Sequence, residues 1–332
     1  MNILNSPIFI LGCHKSGTSL LKSLLDGHPD LTVLPSETHF FQYSGYWVDY
    51  ELRRNTNLNK TIEKQTKGLL QFFKNENRII DPYAPSNMNG KYDELLFMES
   101  IKKSSPSTPP ELFSTYLNSI YYSLTKRNIP KNTRIVEKSV ENSAFSHLLK
   151  SWYPNCKFIH IVRNPYATIT AIRKMKSENG FPFLGPILRS MCSSYYDLYR
   201  NQCSMKDYLV IKYEDLINNP QYTLSKIIEH LEIDHHNNLV KPTLLGKQWT
   251  GNSTSNEYFS GISKAPLKRW EKEITDIEIS LTNRYLEPVF NLYNYNKKHT
   301  TNKYYFKPKN KENLRNFILN RCLIYSSSPS LF

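Results

Sequence analysis

The chain predicts an α/β fold of three layers, α/β/α, with a central parallel sheet, helices on both faces and an irregular helical insertion. Three observations carry this. Pro7–Leu11 is a short apolar run with β-branched character, followed at once by a glycine- and hydroxyl-rich turn and an apolar helix. Apolar runs of the same kind recur at 157–162 and 208–213, with helical periodicity between them. Strands separated by helices imply a parallel sheet covered on both sides. The 332 residues allow one large domain or two small ones, and 23 tyrosines with 16 phenylalanines exclude wholesale disorder.

Taken in order, the first strand ends at Leu11, and Leu20, Leu21, Leu24 and Leu25 recur at helical spacing behind the turn. Leu31–Leu34 reads as a second short strand. Residues 42–109 are rich in Asn, Lys, Tyr and Pro, with weak periodicity. With the amphipathic helix that follows (apolar at 112, 113, 116, 117, 120, 121 and 124), they form a substrate-side insertion over 42–130. Arg134–Glu137, Lys157–Val162 and Tyr208–Tyr213 are the remaining strands. Asn219 and Pro220 read as N-cap and first residue of a helix that buries Leu224, Ile227, Ile228 and Leu231. The domain is expected to span 1–296, leaving 297–332 as a basic extension docked on it.

The octet Gly12-Cys13-His14-Lys15-Ser16-Gly17-Thr18-Ser19 sits at the first strand-to-helix turn and is built to hold a polyanion. Gly12 and Gly17 permit a tight turn and close approach of a ligand. The helix N-terminus offers unpaired N–H groups, Ser16, Thr18 and Ser19 add hydroxyls, and Lys15 adds a full charge. The loop is P-loop-like but is not a Walker A motif. There the lysine directly follows the last glycine and a hydroxyl after it holds Mg²⁺; here Lys15 precedes Gly17, and no metal is called for.

The formal net charge of +14 favours an acidic ligand, substrate or surface. Half of it lies between Lys297 and Arg321, where eight basic residues face one Glu312. Within that stretch Leu314, Phe317, Ile318 and Leu319 accompany Arg315 and Arg321. This suggests a terminal helix that docks on its own domain or touches a membrane surface weakly. The five cysteines show no metal spacing, and Cys192 and Cys203, on one helix, stand about 16 Å apart along its axis, too far for a disulfide. No signal peptide precedes the first strand, so a reducing cytoplasm is the expected location, and the sequons at Asn59 and Asn252 are read as chance. Nucleic acid is not an expected partner.

Several segments together resemble the sulfotransferases that use 3′-phosphoadenosine-5′-phosphosulfate (PAPS), especially their bacterial and carbohydrate-type branch. They are Ile8–Leu21 with its octet, Gly27-His28-Pro29, Ser36-Glu37-Thr38-His39-Phe40-Phe41, Glu137-Lys138-Ser139, His160–Pro165, Tyr213–Leu216 and Lys268-Arg269-Trp270. The resemblance implies that the octet, His14 included, holds the 5′-phosphosulfate, with Lys15 at the bridging oxygen. It implies that Arg163 holds the 3′-phosphate and that Tyr213 contacts adenine. The family's serine eight residues after that arginine is replaced by Ala171, and Thr170 or Thr168 is the substitute. The final cofactor loop is matched at Lys268–Trp270, with Lys264, Lys268 and Arg269 as the candidate cations.

The choice of base separates the branches. Small-molecule members carry a Lys-Thr-His pattern, and the matching stretch here, Lys138-Ser139-Val140, puts valine where the histidine belongs. Carbohydrate-type members use a glutamate in a segment like Ser36–Phe41. The resemblance therefore makes Glu37 the base, with His39 the alternative, while Lys15 and Lys138 neutralise charge on the leaving oxygen. The expected activity is sulfuryl transfer from PAPS, an acidic nucleotide donor, to a hydroxyl, less readily an amine, of a carbohydrate or glycolipid. Two alternatives stand beside it: a P-loop kinase of a small alcohol or nucleoside, and a non-enzymatic polyanion- or membrane-binding protein.

Overall fold

The computed structural model describes residues 4, 6–46, 61–76, 93–177, 180–251, 258–259, 261–300 and 311–325. Both sequons, parts of the 42–109 stretch and the lysines at 303, 307 and 309 lie wholly or partly outside them. Five strands, β1 (Ile8–Leu11), β2 (Leu31–Val33), β3 (Arg134–Lys138), β4 (Lys157–Val162) and β5 (Tyr208–Lys212), form one parallel sheet in the order β2-β3-β1-β4-β5. Strand β1 is central because all four of its residues are apolar and buried, with no polar side chain needing water. Its side chains alternate. Phe9 and Leu11 enter one core with Phe158 and Val162, whereas Ile8 and Ile10 enter the other with Val136, Ile159 and Ile161.

Helices α1 (Thr18–Leu25), α9 (Tyr213–Asn218) and α10 (Pro220–Leu231) supply the second core, through Leu21, Leu24, Leu216, Leu224 and Ile227. α2 (Phe40–Tyr43), α3 (Ile62–Glu76), α4 (Glu94–Ser104), α5 (Pro109–Thr125), α6 (Ser146–Trp152), α7 (Pro165–Met175) and α8 (Gly185–Ser204) follow in the chain. Each of these places at least one buried apolar residue against the other face, α3 through Leu69. After the short α11 (Ala265–Lys268) come α12 (Asp276–Tyr285), with a full capping box at Thr275 and Glu278, α13 (Glu287–Leu292) and α14 (Lys311–Tyr325). A two-residue hairpin, β6 (Thr243–Leu244) with β7 (Lys247–Gln248), stands apart.

Three local expectations are corrected. The last strand stops at Lys212, and Tyr213 opens α9. Helix α10 starts at Pro220 as read, but the Asn219 side chain makes no cap hydrogen bond. On α14 the apolar face differs from the one read in sequence. Leu314 and Ile318 are 47% and 52% exposed, whereas Asn320 and Leu323 are buried. Asn320 accepts from the Leu184 amide at 2.7 Å and donates to the Pro182 carbonyl at 3.0 Å, and Asn316 donates to the Phe181 carbonyl.

The order of winding reverses at β1, since β2 and β3 lie on one side of it and β4 and β5 on the other. In open parallel sheets the crevice at such a point, beyond the carboxyl ends of the strands, is where ligands bind. The octet leaves β1 at that end.

Candidate active site

The octet departs from ordinary backbone at two places that matter. Lys15 is left-handed at φ 62, and Gly17 at φ 107. A β-carbon on Gly17 would meet the Tyr213 ring and the Ile161 side chain, so the glycine allows the loop to lie on the aromatic residue that opens α9. The Ser16 hydroxyl is buried and has no hydrogen-bond partner among the described residues. A buried hydroxyl left unanswered beside backbone N–H groups fits an anionic ligand. Thr18 is buried, and Ser19 and Lys15 are partly exposed.

Arg163 leaves the end of β4, next to β1. Its guanidinium donates to the Lys15 carbonyl at 2.8 Å and to the Pro266 carbonyl at 3.1 Å, and lies 4.5 Å from the centre of the Tyr213 ring. Arg163, Tyr213, the octet and the start of α11 therefore meet at one place. Arg269 is partly buried and close enough to act electrostatically on the Tyr213 hydroxyl, whereas Lys264 and Lys268 are exposed. Thr170 is buried, its hydroxyl without a hydrogen-bond partner among the described residues, and Thr168 donates to the Asn164 carbonyl. Ala171 is the partly exposed residue of the three. Successive helical side chains diverge by about 100°, so Thr170 points away from the direction Ala171 takes.

The second half of the site is the segment 35–39, which crosses the end of β3. The buried Lys22 donates to the Pro35 carbonyl. Ser139 Oγ accepts from the Thr38 amide at 2.9 Å and the His39 amide at 3.2 Å, and donates to Glu137 Oε1 at 2.5 Å. Thr38 Oγ1 also donates to Glu137, at 2.8 Å, and Tyr116 on α5 donates to the Thr38 carbonyl at 2.8 Å. Asn142 Nδ2 completes the shell of Glu137. Burial pushes the Glu137 carboxyl up to about 7 against the pull of these donors. This network fixes His39 in the left-handed region at φ 50 and aims the side chains on either side of Thr38.

Glu37 receives Lys138 Nζ on Oε1 and faces His39 Nε2 with Oε2, at 3.6 Å. Burial alone would raise its carboxyl, but the Lys138 ammonium, then His39 and His14, outweigh it and hold Glu37 well below the usual carboxylate range. Withdrawal from water pushes the His14 imidazole down to about 4 despite the opposing pull of Glu37, so it is neutral near pH 7. His39 Nδ1 lies 3.2 Å from both carboxylate oxygens of Glu141, whose side chain is fully buried. The ligand-type atoms of Glu37, His39 and Glu141 fall within 4.8 Å of one another. The Lys138 ammonium stands against Glu37 in this cluster and balances part of its negative charge.

Sequence reading named Glu37, His39, Lys138, His14 and the octet, and the structure brings these together. It did not assign roles to Tyr116, Glu137, Ser139 or Glu141. The signal available for them was a run of polar residues, 137–139 and 141–143, directly after an apolar strand, where polar side chains at a strand end face the crevice. That run continues into a 3-10 turn, Val140–Ser143. Beside it opens a small cavity of about 40 Å³, bounded by the octet, this turn and α8, and lined by Cys13, His14, Val140, Glu141, Ser194 and Asp197 among others.

A model described as the sulfotransferase family matches residues 7–237. Two curated relatives, both named omega-hydroxy-beta-dihydromenaquinone-9 sulfotransferase Stf3, from Mycobacterium bovis and Mycobacterium tuberculosis, are 26% identical over 254 residues, covering 69% of this chain. The matched region spans 63% of the length of those relatives. Among solved structures, the sulfotransferase domain from the curacin biosynthetic pathway is 20% identical at a TM-score of 0.51, covering 86% of this chain and 98% of that one. The sulfotransferase domain of the Synechococcus PCC 7002 olefin synthase is 19% identical at a TM-score of 0.51, covering 98% and 96%. These likenesses support the fold, and no described helix is long and apolar enough to cross a membrane. The family match speaks against the kinase and non-enzymatic alternatives: the chain belongs to the sulfotransferase family.

Proposed function

We propose that the chain moves a sulfuryl group from PAPS to a hydroxyl of a carbohydrate or glycolipid acceptor, with Glu37 as the general base. The observation that carries this reading is the meeting of Arg163, Lys15 and Tyr213 at one end of the crevice with Glu37 and Lys138 at the other. A donor with a phosphate at each end of a nucleoside needs two anion sites joined by an aromatic surface. The octet N–H groups, Ser16, Thr18, Ser19 and Lys15 would hold the phosphosulfate end, and Arg163 the 3′-phosphate, by the paired N–H geometry that suits arginine. The bound donor supplies an activated sulfuryl group.

Glu37 is placed to take the acceptor proton, and its ionised state near neutral pH makes it ready to do so. Lys15 and Lys138 balance the negative charge that builds on the departing oxygen. His14, being neutral, donates or accepts a hydrogen bond without adding charge. The resemblance of Ser36–Phe41 to the carbohydrate-type segment supports a sugar hydroxyl as acceptor. The name of the curated relatives points instead to a lipid alcohol, and both belong in the same test. Transfer of labelled sulfate from PAPS to a panel of sugars, glycolipids and isoprenoid alcohols decides the acceptor class. No transfer to any hydroxyl, or equal binding of ATP and the desulfated donor 3′,5′-adenosine bisphosphate (PAP), would overturn the reading. A cytoplasmic setting and a weak membrane contact through the basic C-terminal stretch are part of the proposal.

A further inference from the structure

We propose that Glu141 is a positioning residue that holds His39 as the second acceptor of the proton Glu37 takes from the acceptor hydroxyl. The inference rests on Glu37 acting as the base. Both Glu141 oxygens lie 3.2 Å from Nδ1 of His39, and the carboxylate has no exposed surface. A buried carboxylate so placed favours the tautomer with its proton on Nδ1, so that Nε2 can accept from Glu37 once that carboxyl is protonated. That atom faces Glu37 Oε2 at 3.6 Å, a separation of the kind that tightens when a reacting complex assembles. The backbone network through Ser139 and Glu137 keeps the ring from turning away, and Tyr43 covers it edge-on at 6.2 Å.

The need for a second station follows from Lys138. Its ammonium on Oε1 keeps Glu37 ionised, which makes the carboxylate available and makes its protonated form costly to keep. Once Glu37 has taken the proton, the Nε2 lone pair is the better resting place. The resulting imidazolium lies between Glu37 and Glu141, each a carboxylate. The balance is simple. The acceptor O–H bond breaks and its electron pair forms the O–S bond. The sulfur–oxygen bond to the donor phosphate breaks with its pair leaving on oxygen. The proton passes from Glu37 Oε2 to His39 Nε2, and from there to solvent after product release. The charged or titratable groups around the ring are Glu37, Lys138 and His14 on one side, Tyr43 on α2, and Glu141, with Glu137 behind Ser139.

Side-chain nitrogen NMR reads this pair without an acceptor or a donor. Long-range proton–nitrogen spectra of wild type at pH 8, with His39 assigned by the peak missing in His39→Gln, should show the Nδ1–H tautomer. Glu141→Gln should lower the His39 titration midpoint by at least about one pH unit, as one flanking carboxylate is lost. Glu141→Asp should restore most of it. The Nε2–H tautomer in wild type, or an unmoved midpoint in Glu141→Gln, would overturn the positioning role. If Glu141→Gln does not fold, the wild-type tautomer and Glu141→Asp decide the matter. Turnover with PAPS and the best hydroxyl compound of the panel tests the relay itself. His39→Gln should lower kcat about a hundredfold with KM for PAPS unchanged, and wild-type kcat in that variant would sink the relay. Failure of PAP to bind wild type would count against the donor assignment and leave the NMR result standing.

Discussion

A β-carbon on Gly17 would lie 2.3 Å from Cδ2 of Tyr213, so the loop and the ring occupy space that neither can share with a methyl group. Gly17 is also left-handed, at φ 107. Gly17→Ala therefore has to shift the ring or bend the loop, besides meeting a backbone penalty of about 1–2 kcal/mol. Calorimetry should show PAP binding weakened at least about tenfold, with the far-ultraviolet circular dichroism of wild type. Unchanged affinity would place the nucleotide away from this contact.

Arg163→Ala should weaken PAPS more than adenosine-5′-phosphosulfate, which lacks the 3′-phosphate. One lost charged hydrogen-bond partner is worth about 1.5–3 kcal/mol, or roughly ten- to a hundredfold. Both ligands should also lose a smaller, common factor, because Arg163 ties the Lys15 carbonyl to that of Pro266. Equal losses for the two would assign Arg163 to holding the loop alone.

Glu37→Gln keeps the size of the side chain and removes the basic carboxylate. Turnover should fall by about two to four orders of magnitude while PAP affinity holds. Its effect on stability should depend on pH. The folded carboxyl is held low by Lys138, so its contribution is present above the ordinary carboxylate pKa and fades as pH falls below it. Melting temperatures of the two proteins should converge in acid.

Glu137 should behave in the opposite sense. Its carboxyl is raised to about 7, so the folded state binds the extra proton between the ordinary value and that one. Measured against Glu137→Gln, which does not titrate, wild type should lose relative stability as pH climbs from about 4.5 to about 7 and then level off. The variant should be less stable overall, since the amide cannot accept from all of Thr38, Ser139 and Asn142.

Lys15→Ala should lower kcat more than it lowers the melting temperature, because a partly exposed loop lysine supports little core. A fall in melting temperature with unchanged kcat would make Lys15 structural.

Much of this was legible in the chain because it depends on local pattern. The apolar run of β1, the two glycines of the octet and the leucines of α1 are each a short-range signal, and together they place the anion site. Glu37, His39 and Lys138 were legible only through resemblance, as nothing local distinguishes them from surface charges. Glu141 was not legible: its meaning comes from a partner 102 residues away, His39, and no periodicity records that. Tyr213 was read as the end of a strand because an aromatic after five strand residues fits either state, and contact with Gly17 and Arg163 decides the case. On α14 the buried face includes asparagines, which bond the backbone before α8, so a search for apolar faces picked the wrong side.

Residues 137–141 give out their side chains in fixed succession. Glu137 and Ser139 clamp Thr38 and His39, Lys138 meets Glu37, and Glu141 meets His39. An inserted or deleted residue here would hand every partner to its neighbour: an ammonium beneath the Thr38 amide, a carboxylate against Glu37, an apolar group or an amide on the imidazole. Length changes in relatives of this chain should therefore fall outside this stretch. Substitutions elsewhere around the crevice leave these five residues in frame.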